Sequence, residues 1–297
     1  MRVRYWTEVE GRDHTSAVVQ RARKQVGRTG WAAALLASQL SHGQWATRGT
    51  SARELYRPKF IATNWIAIVL ADLGMTRADP RIRKTAELIL EWRRKVLAAD
   101  DSEHCIGGNA ARTLIRFGYL DHPVVRKSID WLVRTQKSDG GWHCFPFRAG
   151  TLDCWEGLEA LAVIPDSDRD GPTRRAIERG AEFYLQRSLM REGRSRYAPW
   201  FRIHYPNHYH YDLLVGLRVL TRLGYGQDPR LAPALRWLRS KRRPDGTWSL
   251  DATQPDIEGE WARYPLREPE FPMMLELLHE PSRWATVEAL AVLARAE

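Results

Sequence analysis

Hydrophobic positions along the chain alternate between two kinds of predicted helix. In one kind apolar residues recur at three- and four-residue steps and leave a charged face, as at Val125, Ile129 and Leu132. The other kind is apolar nearly all round and covers residues 64–73, 105–117, 154–163, 210–223 and 282–294. Helices without a polar face are buried, whereas amphipathic helices cover them. The alternation therefore predicts an all-α fold in which five to six helix pairs form an inner and an outer layer.

An internal repeat supports this organisation. Residues 114–142 and 220–248 align without gaps at an offset of 106 residues. Each copy contains a glycine suited to end a helix, a proline suited to start the next, an Asp-Gly turn and a closing tryptophan. These markers are Gly118, Pro123, Asp139-Gly140 and Trp142 in one copy, and Gly224, Pro229, Asp245-Gly246 and Trp248 in the other. Partial copies occur around Gly74 and at residues 39–45, so the repeat extends over most of the chain.

Charge and cysteine content exclude several classes of protein. The 297 residues carry a formal net charge of +10, mostly from arginine dispersed along the chain, and no nucleic-acid-binding motif accompanies it. We therefore expect no nucleic-acid partner. Three cysteines without a Cys-x-x-Cys pair argue against a disulfide scaffold. With no apolar leader or membrane-spanning run, the sequence predicts a cytoplasmic protein.

One copy of the repeat resembles a known family. The run from Trp131-Leu132 through Gln136 to Asp139-Gly140-Gly141-Trp142 is similar to the QW repeat of the squalene–hopene cyclase family. The β subunits of protein prenyltransferases share that family's α/α-toroid fold. The resemblance implies one toroid domain over residues 28–297, with residues 1–27 as a leading basic helix or arm. It also implies an enzyme that binds an isoprenoid (prenyl or polyprenyl) or similar apolar substrate in a central cavity.

Three residues at the starts of the predicted inner helices are candidate zinc ligands. Cys105, Cys154 and His210 occupy equivalent positions in the repeats, so they should meet at one mouth of the ring. Thiolate, imidazole and carboxylate are the usual zinc ligands. Protein prenyltransferase β subunits hold zinc with Asp, Cys and His, and the matching positions here are Asp153, Cys154 and His210. The resemblance also makes Asp153 and His210 candidate catalytic residues.

The zinc set departs from the family's pattern at one position. The family has a residue between its Asp and its Cys, whereas Asp153 and Cys154 are adjacent. Neighbouring side chains point in different directions, so Cys105 or His208 is an alternative third ligand. A buried free cysteine also commonly packs as a small hydrophobe, and Cys144 fits that structural role.

Aromatic residues provide candidate substrate contacts. The segment RYAPWFRIHYPNHYHY precedes the fourth predicted inner helix. Its rings can stabilise a cation, and its arginines can neutralise a diphosphate. Trp155, Trp200, Arg202, Tyr209 and Tyr211 are the predicted substrate-binding residues. The same rings could instead pack as a rigid loop over one end of the ring.

Three functional hypotheses follow. The first is a zinc-assisted, prenyltransferase-like enzyme that receives its apolar substrate through peripheral membrane contact. The second is a non-catalytic carrier of a hydrophobic ligand, or a helical scaffold. The third is a stand-alone terpene cyclase with a non-standard acid, since the acidic run 166–170 lacks the family's Asp-x-Asp-Asp spacing.

Overall fold

The regular secondary structure of the described residues is mostly helical. The computed structural model describes residues 1–45, 52–57, 59–99, 103–145, 147–192, 196–253 and 275–297. The α-helices are α1 (Arg2–Arg4), α2 (Ala17–Gln25), α3 (Gly30–Ala37), α4 (Ala52–Tyr56), α5 (Thr63–Asp72), α6 (Pro80–Ala98), α7 (His104–Phe117), α8 (Pro123–Thr135), α9 (Glu156–Ala162), α10 (Gly171–Gln186), α11 (Leu213–Arg222), α12 (Ala232–Ser240) and α13 (Arg283–Ala296). A π-helical turn covers Tyr5–Val9, and 3-10 turns cover Asp166–Asp168, Ala198–Phe201 and Pro229–Leu231. Two short antiparallel strands, β1 (Trp248–Ser249) and β2 (Pro281–Ser282), pair Trp248 with Ser282.

The helices form two layers, as the sequence predicts, and the fold is an α/α toroid. Helices α5, α7, α9, α11 and α13 are the inner layer, in which α7 packs against α5 and α9, and α11 against α9 and α13. Residues 63–71 of α5 are all buried. The outer helices are α3, α6, α8, α10 and α12. Of these, α6, α8, α10 and α12 bury one face each, because charged residues occupy the opposite face. None of the described helices combines the length and apolar character that crossing a bilayer requires.

Glycines end the inner helices as predicted. Gly74, Gly118 and Gly224 have φ values of 86°, 95° and 91°, in the left-handed region that glycine adopts without a Cβ clash. Each turn then leads to a proline in the first turn of the following helix, where its missing N–H costs nothing. These turns reverse the chain between layers, so α5, α7 and α11 are each followed by an outer helix.

Tryptophans fix the loops that lead from outer to inner helices. The indole Nε1 atoms of Trp45, Trp142 and Trp248 each donate to the carbonyl ten residues earlier, at 2.8, 2.9 and 2.8 Å. All three rings are fully buried. The side-chain amide of Gln136 donates to Gly140 and, at 2.8 Å, to Ala176 on the next outer helix. The tryptophan in each loop therefore ties that loop to the preceding helix. Gln136 also ties the loop between α8 and α9 to the outer helix α10.

Two inner helices begin later than the sequence pattern predicts. Helix α9 begins at Glu156 rather than at residue 154, and α11 begins at Leu213 rather than at residue 210. Asp212 caps α11 by accepting a hydrogen bond from the Val215 N–H at 2.7 Å. Cys154 and His210 therefore lie in the connections before these helices.

The first residues of the chain pack against the inner layer. Helix α1 and the turn Tyr5–Val9 lie against α2 and α13. Arg4 reaches Glu288 on α13 at 2.9 Å. Residues of the segment predicted as a leading arm thus supply charged groups to one end of the ring.

Candidate functional site

Three cysteines meet at one end of the ring. Cys105 lies in the first turn of α7, Cys144 in the loop after Trp142, and Cys154 two residues before α9. The Cys144 and Cys154 Sγ atoms are 3.6 Å apart, and the backbone N–H of Cys105 donates to Cys144 Sγ at 3.2 Å. Three segments distant in sequence thus bring their thiols into one group, which we call the thiol cluster.

A carboxylate joins the thiol cluster. Glu103, Cys105 and Cys144 each offer a ligand atom, and these atoms all lie within 4.8 Å of one another. The Cys105 thiol lies 3.8 Å from Glu103 Oε2. Glu103 is exposed and the two thiols are partly accessible, so the group opens toward solvent. Sulfur and carboxylate donors at these separations can bind a metal ion.

The thiol cluster shares one negative charge. Hydrogen bonds from Cys105 and Cys154 lower the pKa of Cys144 to about 3. The same bond to Cys144, with burial, raises the pKa of Cys105, while burial and the bond to Cys144 raise that of Cys154. Cys144 is therefore the thiol of the cluster that ionises most readily, and a thiolate is the nucleophilic and metal-binding form of cysteine.

Two buried polar groups lie beside the thiol cluster. Glu156 is fully buried, and neither carboxylate oxygen has a hydrogen-bond partner among the described residues. Burial and the charge of Cys144 raise its pKa well above the usual range, which favours the protonated form of Glu156. His104 donates from Nδ1 to the His143 carbonyl at 2.8 Å and stacks on Trp131. Burial lowers the His104 pKa, so this imidazole is neutral.

His210, a predicted zinc ligand, lies outside the candidate ligand group. The only group of three or more such ligands found in the described part of the chain is that of Glu103, Cys105 and Cys144. The His210 ring instead lies 4.5 Å from the Tyr209 ring and 5.8 Å from that of His204. Burial, followed by the charge of His204, lowers its pKa to about 2. The late start of α11 places His210 in this aromatic group.

Asp153 is bound to a neighbouring aromatic residue. Trp200 Nε1 donates to Asp153 Oδ1 at 2.7 Å. The Trp200 ring also packs edge-on against Tyr211, whose hydroxyl donates to the Leu189 carbonyl at 2.9 Å. Trp200 and Tyr211 are both buried. The structure therefore brings Asp153, Trp200 and Tyr211 together as a packed group, and Asp153 is not in the candidate ligand group.

The remaining predicted substrate contacts have different neighbours. Arg202 is exposed and donates to the Asp251 carbonyl at 3.1 Å. Tyr209 lies under the Lys59 ammonium, 5.4 Å from its ring centroid. Trp155 is buried, with the guanidinium groups of two arginines 5.1 and 5.4 Å from its ring centroid.

Charged side chains connect all five inner helices along the axis of the ring. This axial network consists of Asp72 on α5, Arg112 and Arg116 on α7, Glu159 on α9, Arg218 and Arg222 on α11, and Glu288 on α13. Glu159 is at its centre and lies 3.0 Å from each of Arg112, Arg116 and Arg218. Where the resemblance implies an apolar central cavity, the described residues place ion pairs.

The arginines keep the buried acids of the axial network ionised. Burial alone would raise the pKa of Glu159, but Arg218, Arg112 and Arg116 lower it below its usual range. Burial likewise opposes ionisation of Glu288, and the nearby arginines, led by Arg4, lower its pKa to about 2. Such a network is stable only when every charge has partners.

Sequence reasoning missed Cys144 as a site residue, and it missed the axial network. Cys144 follows the repeat's closing tryptophan by two residues, and the equivalent position in the second copy is Leu250 rather than a cysteine. The axial network did leave a signal in the sequence. Arg112 and Arg116 recur as Arg218 and Arg222 at the same offset of 106 residues, four apart in otherwise apolar helices.

Comparison with known proteins returns structural similarity at low identity. No family model and no curated protein matches the chain. A crystal structure of a protein from Actinoplanes is 16% identical with a TM-score of 0.42, covering 99% of this chain and 87% of that one. The type II terpene cyclase MstE from Scytonema is 14% identical with a TM-score of 0.32, covering 93% and 96%. A variant of that cyclase in complex with its substrate geranylgeranyl dihydroxybenzoate is 13% identical with a TM-score of 0.30, covering 93% and 97%. Function therefore rests on the chemistry of the site itself.

Proposed function

We propose that this chain is a zinc-dependent enzyme of the toroid class whose metal is held by the thiol cluster. The observation that carries the proposal is the convergence of Cys105, Cys144 and Cys154 with the carboxylate of Glu103. Tetrahedral zinc with Zn–S bonds of about 2.3 Å needs sulfurs about 3.8 Å apart. The 3.6 Å between the Cys144 and Cys154 sulfurs fits that requirement. The unpartnered carboxylate of Glu156 is a polar group of the kind that surrounds a metal site.

The residues of the chain prepare this site for a soft metal ion. The lowered pKa of Cys144 favours a thiolate as the first metal ligand. The raised pKa of Glu156 favours a protonated carboxyl beside the cluster. A bound zinc ion would supply Lewis acidity, which lowers the pKa of a coordinated thiol or water. Free thiols of this kind persist in a reducing compartment, which agrees with a cytoplasmic setting.

The substrate that we propose is an isoprenoid or a similar apolar molecule. Phe145 and Phe147 follow Cys144 in the same loop, and their side chains are 62% and 60% exposed. Their rings lie against His143 at 5.9 and 4.6 Å. Exposed aromatic rings beside a reactive group mark a surface for apolar ligands or membrane contact. The apolar substrate would thus approach the thiol end of the ring, because ion pairs occupy the axis.

Metal content tests the zinc assignment directly. Protein purified without chelator should contain about one zinc per chain, and Cys144→Ser should abolish it. His210→Ala is the matched control, since it removes a predicted ligand that lies outside the group, and it should retain the metal. Cobalt substitution should give thiolate-to-metal charge-transfer absorption that disappears in Cys105→Ser or Cys154→Ser. Metal-free wild-type protein with no affinity for added zinc would refute the proposal and favour a ligand carrier.

Glu156 supports a second candidate, a terpene cyclase with a non-standard acid. A buried carboxylic acid that stays protonated at pH 7 can protonate an alkene or epoxide. The raised pKa of Glu156 favours its protonated form, and both of its oxygens are unpartnered among the described residues. Incubation with geranylgeranyl and squalene-type substrates should then yield cyclic products that Glu156→Gln abolishes. The zinc hypothesis instead expects Glu156→Gln to retain the metal, so the two candidates are separable.

A further inference from the structure

A polar pocket lies at the end of the ring opposite the thiol cluster. Its volume is about 720 Å³, and it is lined by the ends of inner helices α5, α11 and α13 together with the first residues of the chain. Cys105 and Arg116 lie near opposite ends of α7, about 16 Å apart at a helical rise of roughly 1.5 Å per residue. The pocket is therefore distinct from the thiol cluster.

Arginine dominates the charge of this pocket. Its walls carry Arg4, Arg23, Arg116, Arg218, Arg222 and Arg295, and the acids Glu8, Asp72 and Glu288. Directly behind the wall, Arg112 pairs with Glu159. The arginines in this end of the ring thus exceed the carboxylates by three. Arginine remains protonated at all accessible pH values, so the pocket has a permanent excess of positive charge.

One carboxylate from the leading segment occupies the middle of these arginines. Glu8 lies 2.8 Å from Arg4 and 3.0 Å from Arg222, and it also forms an ion pair with Arg295. Glu8, Arg222 and Arg295 are 22%, 23% and 21% exposed, so a ligand can reach them from solvent. The Nη1 atom of Arg295 is buried and has no hydrogen-bond partner among the described residues. The three guanidinium groups around Glu8 form a binding site for oxyanions, and it has N–H donors that Glu8 does not use.

We propose that this pocket binds a phosphate- or diphosphate-bearing ligand, and that Glu8 is an internal carboxylate that competes with it for the arginines. Guanidinium groups bind phosphate oxygens in a bidentate manner. A diphosphate has more charge and more acceptor oxygens than a single carboxylate, so it can use donors that Glu8 leaves unpaired. The apolar side chains of Val26, Leu73 and Val163 line the same pocket and can contact an organic part of the ligand.

Calorimetric titration with inorganic pyrophosphate at constant ionic strength tests the proposal on the full chain. Glu8→Gln should bind pyrophosphate about tenfold more tightly than the wild type, because charged hydrogen bonds are worth that much each. Arg23→Gln should weaken binding about tenfold in either background. Arg23 lies on the exposed face of α2, so this variant keeps its fold and reports on the pocket even where Glu8→Gln does not fold.

Two further titrations identify which phosphate compound binds and exclude non-specific binding of anions to surface arginines. Geranyl diphosphate that binds at least tenfold more tightly than pyrophosphate identifies a prenyl or other organic diphosphate, whereas equal affinity identifies a free diphosphate anion. Arg174→Gln is the matched control, since Arg174 is an exposed arginine paired with Asp166 at 2.7 Å, and it should bind like the wild type. The proposal is overturned if Glu8→Gln shows no saturable binding, or if Arg174→Gln weakens binding as much as Arg23→Gln.

Discussion

Replacing Glu159 by glutamine should be one of the most damaging single changes in the chain. The Glu159 side chain is 1% exposed and lies 3.0 Å from each of Arg112, Arg116 and Arg218. Arg112 and Arg218 are themselves 1% and 3% exposed. Glutamine preserves the size of the side chain but removes its charge. Two buried guanidinium groups then lose their principal counter-charge without access to water.

The magnitude follows from the burial of the partners. Breaking a buried ion pair from one side costs about 3–5 kcal/mol, because the remaining charge stays desolvated. For a chain of this size that loss lowers the melting temperature by about 6–15 °C. The pKa of Glu159 is lowered from 4.5 in the folded protein. The contribution of the Glu159 charge to the free energy of unfolding is therefore complete above pH 4.5, and it is lost as the pH falls through the folded-state pKa. The difference in unfolding free energy between wild type and Glu159→Gln should become smaller over that acidic range.

Urea unfolding at pH 7 and at a series of lower pH values measures this difference. Glu91→Gln is the control, since Glu91 is an exposed glutamate that pairs with Arg94 at 2.8 Å, and its free energy of unfolding should match the wild type. A Glu159→Gln variant that loses less than about 1 kcal/mol at pH 7 would refute the reasoning. Such a small loss would mean that water or another carboxylate stabilises the buried guanidinium groups of Arg112 and Arg218.

Three other outcomes follow from the structure. At pH 6, iodoacetamide should alkylate Cys144 before the other two thiols, because only Cys144 is a thiolate there; equal labelling in peptide mass spectra would contradict the shared charge. Gly157→Ala should destabilise the fold by about 1–3 kcal/mol in urea unfolding, because the new Cβ would lie 2.7 Å from the Trp142 ring; an unchanged midpoint would show that the ring moves aside. Replacing both Phe145 and Phe147 by serine should reduce binding to lipid vesicles and leave the unfolding free energy unchanged, since both rings are exposed; unchanged vesicle binding would exclude this surface.

Local sequence rules predict most of the architecture. Gly118 and Gly224 end helices because only glycine adopts a φ near 90° without strain. Apolar residues on all sides of α5 require a buried position, and the structure buries them. Repeat equivalence also indicates that Cys105 and Cys154 lie at one end of the ring, and both contact Cys144 there. These features depend on neighbours in sequence or on the repeat itself.

The rest depends on contacts that no local pattern encodes. Cys144 joins the thiol cluster only because its loop folds back over the starts of two inner helices. His210 lies before α11 rather than in it, because that helix begins at Leu213 after its cap residue Asp212. From the sequence alone Glu159 is an ordinary glutamate in a helix, because its three arginine partners lie on other helices. Long-range geometry, rather than composition, decides these cases.

The axial network constrains how this sequence can change over time. Arg112, Glu159 and Arg218 depend on one another, so a change at any one of them is costly while the other two remain. Replacing the whole set with well-packed apolar residues would cost far less, but the single steps that lead there pass through unstable intermediates. Mutational histories of this fold should therefore show these positions changing together or not at all. The charges on the axis would then persist as an inherited constraint, whether or not they serve a ligand.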